Sequence, residues 1–322
     1  MKKILIVMPK FFGYEKLIKD YLVKQQIIAS IHYENLEGIS FLWRFINIHF
    51  KGVFSKIYEK HINKILNKEK ENFDLILIIR GANLTRLNME VLKKKFPATK
   101  MIMYQWDSCS NNSNCLNISN YFNKIYTFDM IDAKNYNWIY RPLFYYKNDN
   151  IETIEKDIDL LFIGTLHSQR LDFYKTLKEN AEKKQLKTLF RLYATPWSLI
   201  KHKYLKKNKL LQNNPDITSK RLSLNNLSEL YSRTKVLADY THPNQNGFSM
   251  RTIESIGYNC KLITNNKNII NADFYNPVNF QLYNDMNFNI DEKMINSDYQ
   301  KTTDNSKYTF ETWVNELIIQ NL

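Results

Sequence analysis

Seven glycines are spread over 322 residues, and that scarcity removes one function class at once. The loop after the first predicted strand holds a single glycine, Gly13, so no Gly-x-Gly-x-x-Gly turn is there to bring backbone against a dinucleotide pyrophosphate. This argues against a nicotinamide-dependent enzyme. Cysteine is scarcer still, with Cys109, Cys115 and Cys260. No second Cys or His pair stands at metal-site spacing from the first two, so no zinc and no other metal is expected. An odd count without a signal peptide fits a reducing cytoplasm. The apolar run at residues 3–8 follows a basic start but is too short for a signal sequence, and reads as a first buried strand. Nowhere do about 18 apolar residues follow one another, so no membrane span is expected. Internal repeats and long low-complexity tracts are missing too.

Acidic residues are outnumbered: 46 Lys and Arg against 32 Asp and Glu give a net charge of +14, with a pI near 9.4. The basic residues are mostly lysines spread along the chain, and no recognised nucleic-acid motif accompanies them, so no nucleic-acid partner is expected. Anionic ligands such as nucleotide diphosphates, or an acidic membrane face, would also suit the charge. The length exceeds one ordinary core and fits two domains of about 150 residues each.

Apolar runs alternate with helical stretches, the βαβ pattern of an α/β fold with parallel sheets. In the first half the predicted strands are 3–8, 27–33, 74–80, 100–104, 124–128 and 138–140. Helices are predicted at 14–25 and, capped by Thr85, to about residue 95. Strand 74–80 runs into Arg80-Gly81-Ala82-Asn83, and strand 100–104 into Gln105-Trp106-Asp107-Ser108. Carboxyl ends of strands are where open α/β sheets take their ligands. Asp107, Asp129 and Asp132 all fall near such ends, as helix caps or turn residues, or one of them as a general base. Residues 39–54 are aromatic and basic, either a packed helix or a surface that meets membrane or a lipid-linked acceptor.

The polar stretch 147–156 reads as a linker between a domain at 1–147 and a second at 157–305. Asp157 and Asp159 have the spacing of a metal-binding pair, but they open a strand and read more simply as solvated entry residues. Strands 158–164, 187–193, 235–240 and 261–264 follow. Between them come a helix to about residue 184, one starting at Pro196-Trp197, and one at 224–232 capped by Ser223. The lysines of 201–209 read as a solvated face. Residues 308–322 are helical again, with Phe310, Trp313, Val314, Leu317 and Ile318 on one side.

The chemistry concentrates at residues 242–254, His-Pro-Asn-Gln-Asn-Gly-Phe-Ser-Met-Arg-Thr-Ile-Glu. A turn through Pro243, Asn244, Asn246 and Gly247 leads to a helix with Ser249 as N-cap and Met250, Ile253 and Ile256 at helical spacing. Arg251 and Glu254, three apart, leave the same face beside the positive end of the helix dipole. Such an end suits a phosphate, with Arg251 for its charge and Glu254 for hydroxyls. The plain alternative is a surface helix with one ion pair.

The run Asn246-Gly-Phe-Ser-Met-Arg-Thr-Ile-Glu254, followed by Ser-Ile-Gly-Tyr-Asn-Cys-Lys-Leu-Ile-Thr264, resembles the donor-site segment of the GT-B glycosyltransferases. Their retaining branch has Glu-Gly-Phe-Gly-x-x-x-x-Glu, a short helix, a glycine and an apolar strand. With Arg before the last three residues, the variant looks closer to the CgeB-like and surface-polysaccharide branch. The chain departs from the pattern at Asn246, where the family has its first Glu, and at Asn259, where it usually has Gly.

The resemblance implies two Rossmann-like domains facing a cleft, an acceptor-side one at 1–147 and a nucleotide-sugar-binding one at 157–305, with a helix at 308–322 crossing back to the first. It implies a metal-independent transferase with no cofactor, taking a nucleotide-sugar donor and a glycan or lipid-linked acceptor of the lipopolysaccharide or capsule kind. The donor would be held by Gly164, His167 and Arg170 in the first loop of the second domain, and by Asn246, Gly247, Phe248, Ser249, Met250, Arg251, Thr252 and Glu254. Glu254 would take the ribose. Asp107 and Arg251 are the catalytic candidates, and Arg80, Asn83, Gln105 and Trp106 lie on the acceptor side. The expected place is the cytoplasm, with peripheral contact at the inner face of the cell membrane. A nucleotide-sugar 2-epimerase shares the layout, and a non-catalytic nucleotide-sugar-binding protein is a further reading.

Overall fold

The computed structural model describes residues 1–11, 13–35, 51–70, 72–148, 155–166, 168–195, 199 and 214–322. They form two α/β units. One comprises Met1–Leu143, Pro243–Gly247 and Phe310–Leu322, the other Phe144–His242 and Phe248–Thr309. The readings made for residues 39–50, 149–154, His167, Pro196-Trp197 and 201–209 lie outside the described residues.

The first unit runs β1 (Lys3–Met8), α1 (Tyr14–Lys24), β2 (Ile28–Tyr33), α2 (Lys51–Lys68), β3 (Leu75–Ile79), α3 (Arg86–Lys95), β4 (Lys100–Gln105), α4 (Asn114–Ile118), β5 (Lys124–Thr127), α5 (Met130–Tyr136) and β6 (Ile139–Tyr140). Its sheet order is β2-β1-β3-β4-β5-β6, parallel throughout. The central strands β1 and β3 are unbroken apolar runs because both of their faces are covered, whereas edge strand β2 mixes in Ser30 and His32 and stays partly exposed. On one face, Leu5, Val7, Ile76 and Ile78 pack against Ile62 and Leu66 of α2 and Met89 and Leu92 of α3. Thr85 caps α3 in a reciprocal box, its Oγ1 accepting from the Asn88 N–H at 3.2 Å while the Thr85 N–H donates to Asn88 Oδ1 at 2.9 Å.

In the second unit come β7 (Ile158–Thr165), α6 (Ser168–Lys183), β8 (Thr188–Tyr193), β9 (Ile217–Thr218), α7 (Leu224–Ser232), β10 (Thr234–Asp239), α8 (Met250–Gly257), β11 (Lys261–Thr264), β12 (Phe280–Leu282) and α9 (Glu292–Asn296). The sheet order is β12-β11-β10-β7-β8-β9, again all parallel. Asp157 and Asp159 are paired with the cations entering the neighbouring strand, Asp157 with Arg233 at 2.6 Å and Asp159 with Lys235 at 2.8 Å. They are strand-entry residues.

Helix α8 ends where the chain has Gly257 and Asn259. Asn259 takes the left-handed conformation at φ 51, the next best residue after glycine for such a turn. A Cβ on Gly257 would lie 2.3 Å from Tyr145 Cγ, the root of a ring rather than a flexible tip. Tyr145 is itself held, its N–H donating to the Tyr308 carbonyl at 2.8 Å. Gly257→Ala is therefore expected to destabilise the second unit by about 1–3 kcal/mol through overpacking. Thermal unfolding of the full chain reads this, and an unchanged melting temperature would show that Tyr145 yields freely.

The last helix, α10 (Phe310–Leu317), belongs to the first unit. Trp313 is fully buried, edge-on to Tyr104 with ring centroids 5.1 Å apart. Glu316 Oε2 forms an ion pair with Arg141 Nε at 2.6 Å, and Tyr21 donates to Asn315 Oδ1 at 3.0 Å. The sequence predicts one helix over 308–322. Instead a 3-10 turn at Ser306–Tyr308 precedes α10, and a closing turn at Ile319–Asn321 follows it. Asn321 accounts for the break: its side chain donates to the Glu316 and Leu317 carbonyls and to Tyr126, and Lys100 donates to its carbonyl. No described helix is long and apolar enough to cross a membrane.

Candidate functional site

In the second unit the chain adds β8 and β9 on one side of β7 and then restarts with β10 on the other, so the carboxyl ends of β7 and β10 form the topological switch point where such sheets take ligands. Asp239 ends β10 and is almost wholly buried. Its Oδ2 accepts from Thr241 Oγ1 and from Ser249 Oγ, both at 2.8 Å. Ser249 in turn accepts from the Thr252 N–H at 3.2 Å as N-cap of α8. One carboxylate thus fixes the start of α8 against the end of β10. Tyr283, stacked on Phe173 at 4.9 Å, adds a hydrogen bond to the Asp239 carbonyl at 3.2 Å.

Three charged side chains gather around this start. Arg251 and Glu254 lie in the first turns of α8, with Arg251 half-buried and Glu254 buried. Burial raises the Glu254 carboxyl above its usual range, against the pull of Arg251 and a hydrogen bond from Tyr231. Arg170, from the first turn of α6, donates through Nη1 to the Thr165 carbonyl at 3.0 Å and through Nη2 to the Tyr240 carbonyl at 3.3 Å. Its guanidinium therefore spans the ends of β7 and β10. Burial, and then the like charge of Arg251, lower its pKa to about 10, with Asp239 opposing. Two guanidinium groups held this close at a helix N-terminus suit an anion, which would relieve their repulsion.

Several of the expected donor residues make contacts within the protein. Gly164 makes room for Arg170: a Cβ there would lie 2.8 Å from Arg170 Cδ. Phe248 is buried edge-on to Phe274 at 5.4 Å and anchors the loop in the core. Thr252 is fully buried, and the Ser249 hydroxyl is committed to Asp239 and the helix cap. Met250 is half-buried at the helix start. Asn246 and Gly247, read from the sequence as continuous with the nucleotide segment, group with the first unit. There Ser110 Oγ donates to the Asn244 carbonyl at 2.7 Å. A Cβ on Gly247 would lie 2.6 Å from the Phe128 ring and 2.9 Å from its carbonyl.

The carboxyl end of the first sheet carries its own cluster. The switch point there lies between β1 and β3, whose connections run to opposite sides of the sheet. Arg80, just past β3, stands at φ 72 and is followed by Gly81 at φ 65. A left-handed conformation costs a side-chain-bearing residue about 1–2 kcal/mol. Arg80 Nε reaches Asp107 Oδ2 at 2.9 Å and Nη1 reaches Glu34 Oε1 at 3.4 Å. Asn83 donates through Nδ2 to Asn35 Oδ1 at 2.7 Å. Trp106 sits beside Phe11, ring centroids 5.8 Å apart, and Phe11 is exposed. Gln105, expected on the acceptor side, is fully buried. Its Nε2 donates to the Arg80 carbonyl at 2.6 Å and its Oε1 accepts from Asn112, so it braces the loop and presents nothing outward. Asp129 caps α5, accepting from the Ile131 and Asp132 N–H groups, and Asp132 accepts from the Cys109 N–H at 2.7 Å. Both take structural parts, which leaves Asp107 as the exposed carboxylate of the three.

Sequence reasoning missed Glu34 and Phe11. Among the described residues Glu34 is the carboxylate at the end of β2, a position that strand-end reading could have flagged.

Two parallel six-stranded sheets, each covered by helices and each with its switch point at the carboxyl ends, make this an α/β chain with the GT-B fold. No protein-family model and no curated protein matches it in sequence. Among solved structures it is similar to the catalytic domain of starch synthase IV from Arabidopsis thaliana, bound to ADP and acarbose. That match has a TM-score of 0.53 and 10% identity, and covers 100% of this chain and 99% of that one. A glycosyltransferase from Rickettsia africae aligns at a TM-score of 0.47 and 13% identity, over 99% of this chain and 94% of the other. At these identities the likeness is one of fold, and the starch synthase carries it.

Proposed function

We propose that the chain is a glycosyltransferase that moves a sugar from a nucleotide-sugar donor to a growing surface glycan, lipopolysaccharide or capsule, in the surface-polysaccharide branch of the GT-B enzymes. The observation that carries this reading is the Arg251–Glu254 pair at the start of α8, backed by Arg170, at the switch point of the second unit. The starch synthase of the same fold is bound to ADP, which agrees with a nucleotide ligand for this chain. Arg251 and the α8 N-terminus would neutralise the leaving diphosphate, so the reaction needs no metal in this reading. Glu254 would accept from the ribose hydroxyls, and Arg170 would hold the strand ends that carry the site.

The first unit would take the acceptor. Arg80, Asn83 and Asp107 offer donors and an exposed carboxylate to hydroxyl groups, and Phe11 and Trp106 offer ring faces for the apolar side of a sugar. Asp107 is the candidate general base. Asn246 stands at the family's sugar-reading position and, as an amide, could both donate to and accept from a sugar hydroxyl. The net charge of +14 supports peripheral contact with the anionic inner face of a membrane.

Titration calorimetry with UDP, GDP and ADP tests the nucleotide site. Glu254→Gln keeps the size but loses charge-assisted hydrogen bonds, and is expected to weaken nucleoside-diphosphate binding by about 1–3 kcal/mol. An affinity equal to the parent's would overturn the assignment of Glu254. Incubation with a nucleotide sugar alone separates transfer from epimerisation, because only an epimerase converts the donor without an acceptor.

A further inference from the structure

Arg80 is held in place from both ends. Its backbone, in a conformation that side chains disfavour, is clamped by two amides: Gln105 Nε2 and Asn112 Nδ2 donate to its carbonyl at 2.6 and 3.1 Å. Its guanidinium is shared between an exposed carboxylate and a buried one. Nε reaches Asp107 at 2.9 Å, where Asp107 is 41% exposed and Arg80 31%. Nη1 reaches Glu34 at 3.4 Å, and Glu34 is 0% exposed. The second Glu34 oxygen accepts from the Asn83 N–H at 3.4 Å.

A carboxyl with no access to solvent cannot itself meet a ligand, and an apolar side chain would fill the same space without the desolvation penalty. Backbone strain that the surroundings over-determine in this way marks places where geometry serves function. We propose that Glu34 is a positioning residue, which sets the Arg80 guanidinium from behind so that Arg80 and Asp107 present a fixed donor–acceptor pair to the hydroxyl groups of the acceptor. This rests on the acceptor-side reading of the first unit. The ionised carboxylate grips both Arg80 and the Asn83 N–H, while the protonated form gives up one acceptor and most of its attraction for the guanidinium.

Among the described residues the charged groups facing Glu34 are Arg80 and Asp107, and burial raises its carboxyl to about 7, against the pull of Arg80 and the Asn83 N–H. The grip therefore tightens as pH rises through neutrality. The chain has nine arginines, so the Arg80 Nε–H signal in arginine-labelled spectra of the full chain can be assigned by its loss in Arg80→Lys. That signal is expected to titrate near neutral pH in the parent, and to be flat between about pH 6 and pH 8 in Glu34→Gln. In Asp107→Asn the titration should persist with a lower midpoint, because a like charge has gone. A flat parent signal, or one that titrates unchanged in Glu34→Gln, would overturn the proposal. So would a Glu34→Gln chain that only melts earlier while its Arg80 signal behaves as in the parent.

Turnover gives the second readout, with a panel of UDP-, GDP- and ADP-linked hexoses and lipooligosaccharide as acceptor. Glu34→Gln is expected to raise the acceptor KM about tenfold with little change in kcat, and to lose the activity limb near neutral pH. If the parent turns over no nucleotide sugar, the transfer reading fails, whereas the spectra still decide the role of Glu34.

Discussion

Trp313→Ala is expected to lower the stability of the first unit by about 3–5 kcal/mol, among the largest effects of any single truncation in this chain. The indole is fully buried, and removing it leaves a cavity that the neighbours cannot close. Tyr104, on the other side of the ring contact, is also fully buried, with its hydroxyl tied to the Arg141 carbonyl at 3.1 Å. Arg141 in turn holds Glu316 of the same helix. The cavity would thus lie between α10 and β4, at the seam joining the chain's last residues to its first unit. For a unit of this size the loss corresponds to a melting temperature lower by roughly 10 °C. Thermal or urea unfolding of the full chain checks it. A change below about 1 kcal/mol would mean that α10 is not an integral part of the unit.

The second large effect is on catalysis. Arg251→Ala is expected to lower turnover about 100- to 1000-fold, the range seen when one preorganised group facing developing charge is removed. Arg251 lies beside the α8 N-terminus, and Asp239, Ser249 and Thr241 fix that helix start. On the proposed reading it would need little rearrangement as charge builds on the leaving diphosphate, so its contact would tighten in the transition state rather than in the bound donor. Donor affinity should accordingly fall less than kcat. Steady-state kinetics beside calorimetric binding of the donor separates the two. Weaker donor binding with an intact turnover number would make Arg251 a uniform binding residue and remove its catalytic role. Arg170 would not substitute for it, because two of its N–H groups are already committed to the Thr165 and Tyr240 carbonyls.

The candidate site was legible in the sequence in proportion to how local its parts are. Ser249 as N-cap and Arg251 and Glu254 on one helical face depend on residues three or four positions apart, and helical geometry dictates such relations directly. The parts that depend on distant partners were not legible. Nothing local to Gly164 indicates that Arg170 packs over it. Gln105 looked available until its amide was found spent on the Arg80 carbonyl and Asn112. Residues 243–247 read as one piece with the helix that follows them, yet they group with the first unit, where Gly247 meets Phe128 with no room for a side chain.

By itself the sequence determined the α/β class, the strands of both central sheets and the helix caps at Thr85, Ser223 and Ser249. Strands covered on both faces must be continuous apolar runs, and caps act within a single turn, so both leave a trace in neighbouring residues. Tertiary structure alone decided the edge strands β9 and β12, which are two and three residues long and exist through pairing rather than periodicity. It also decided the burial of Glu34. That residue is one of 32 acids in the chain, and its partner Arg80 stands 46 positions away. Its weight comes from the low-dielectric space into which the fold places it, a property that no pattern of neighbouring residues encodes.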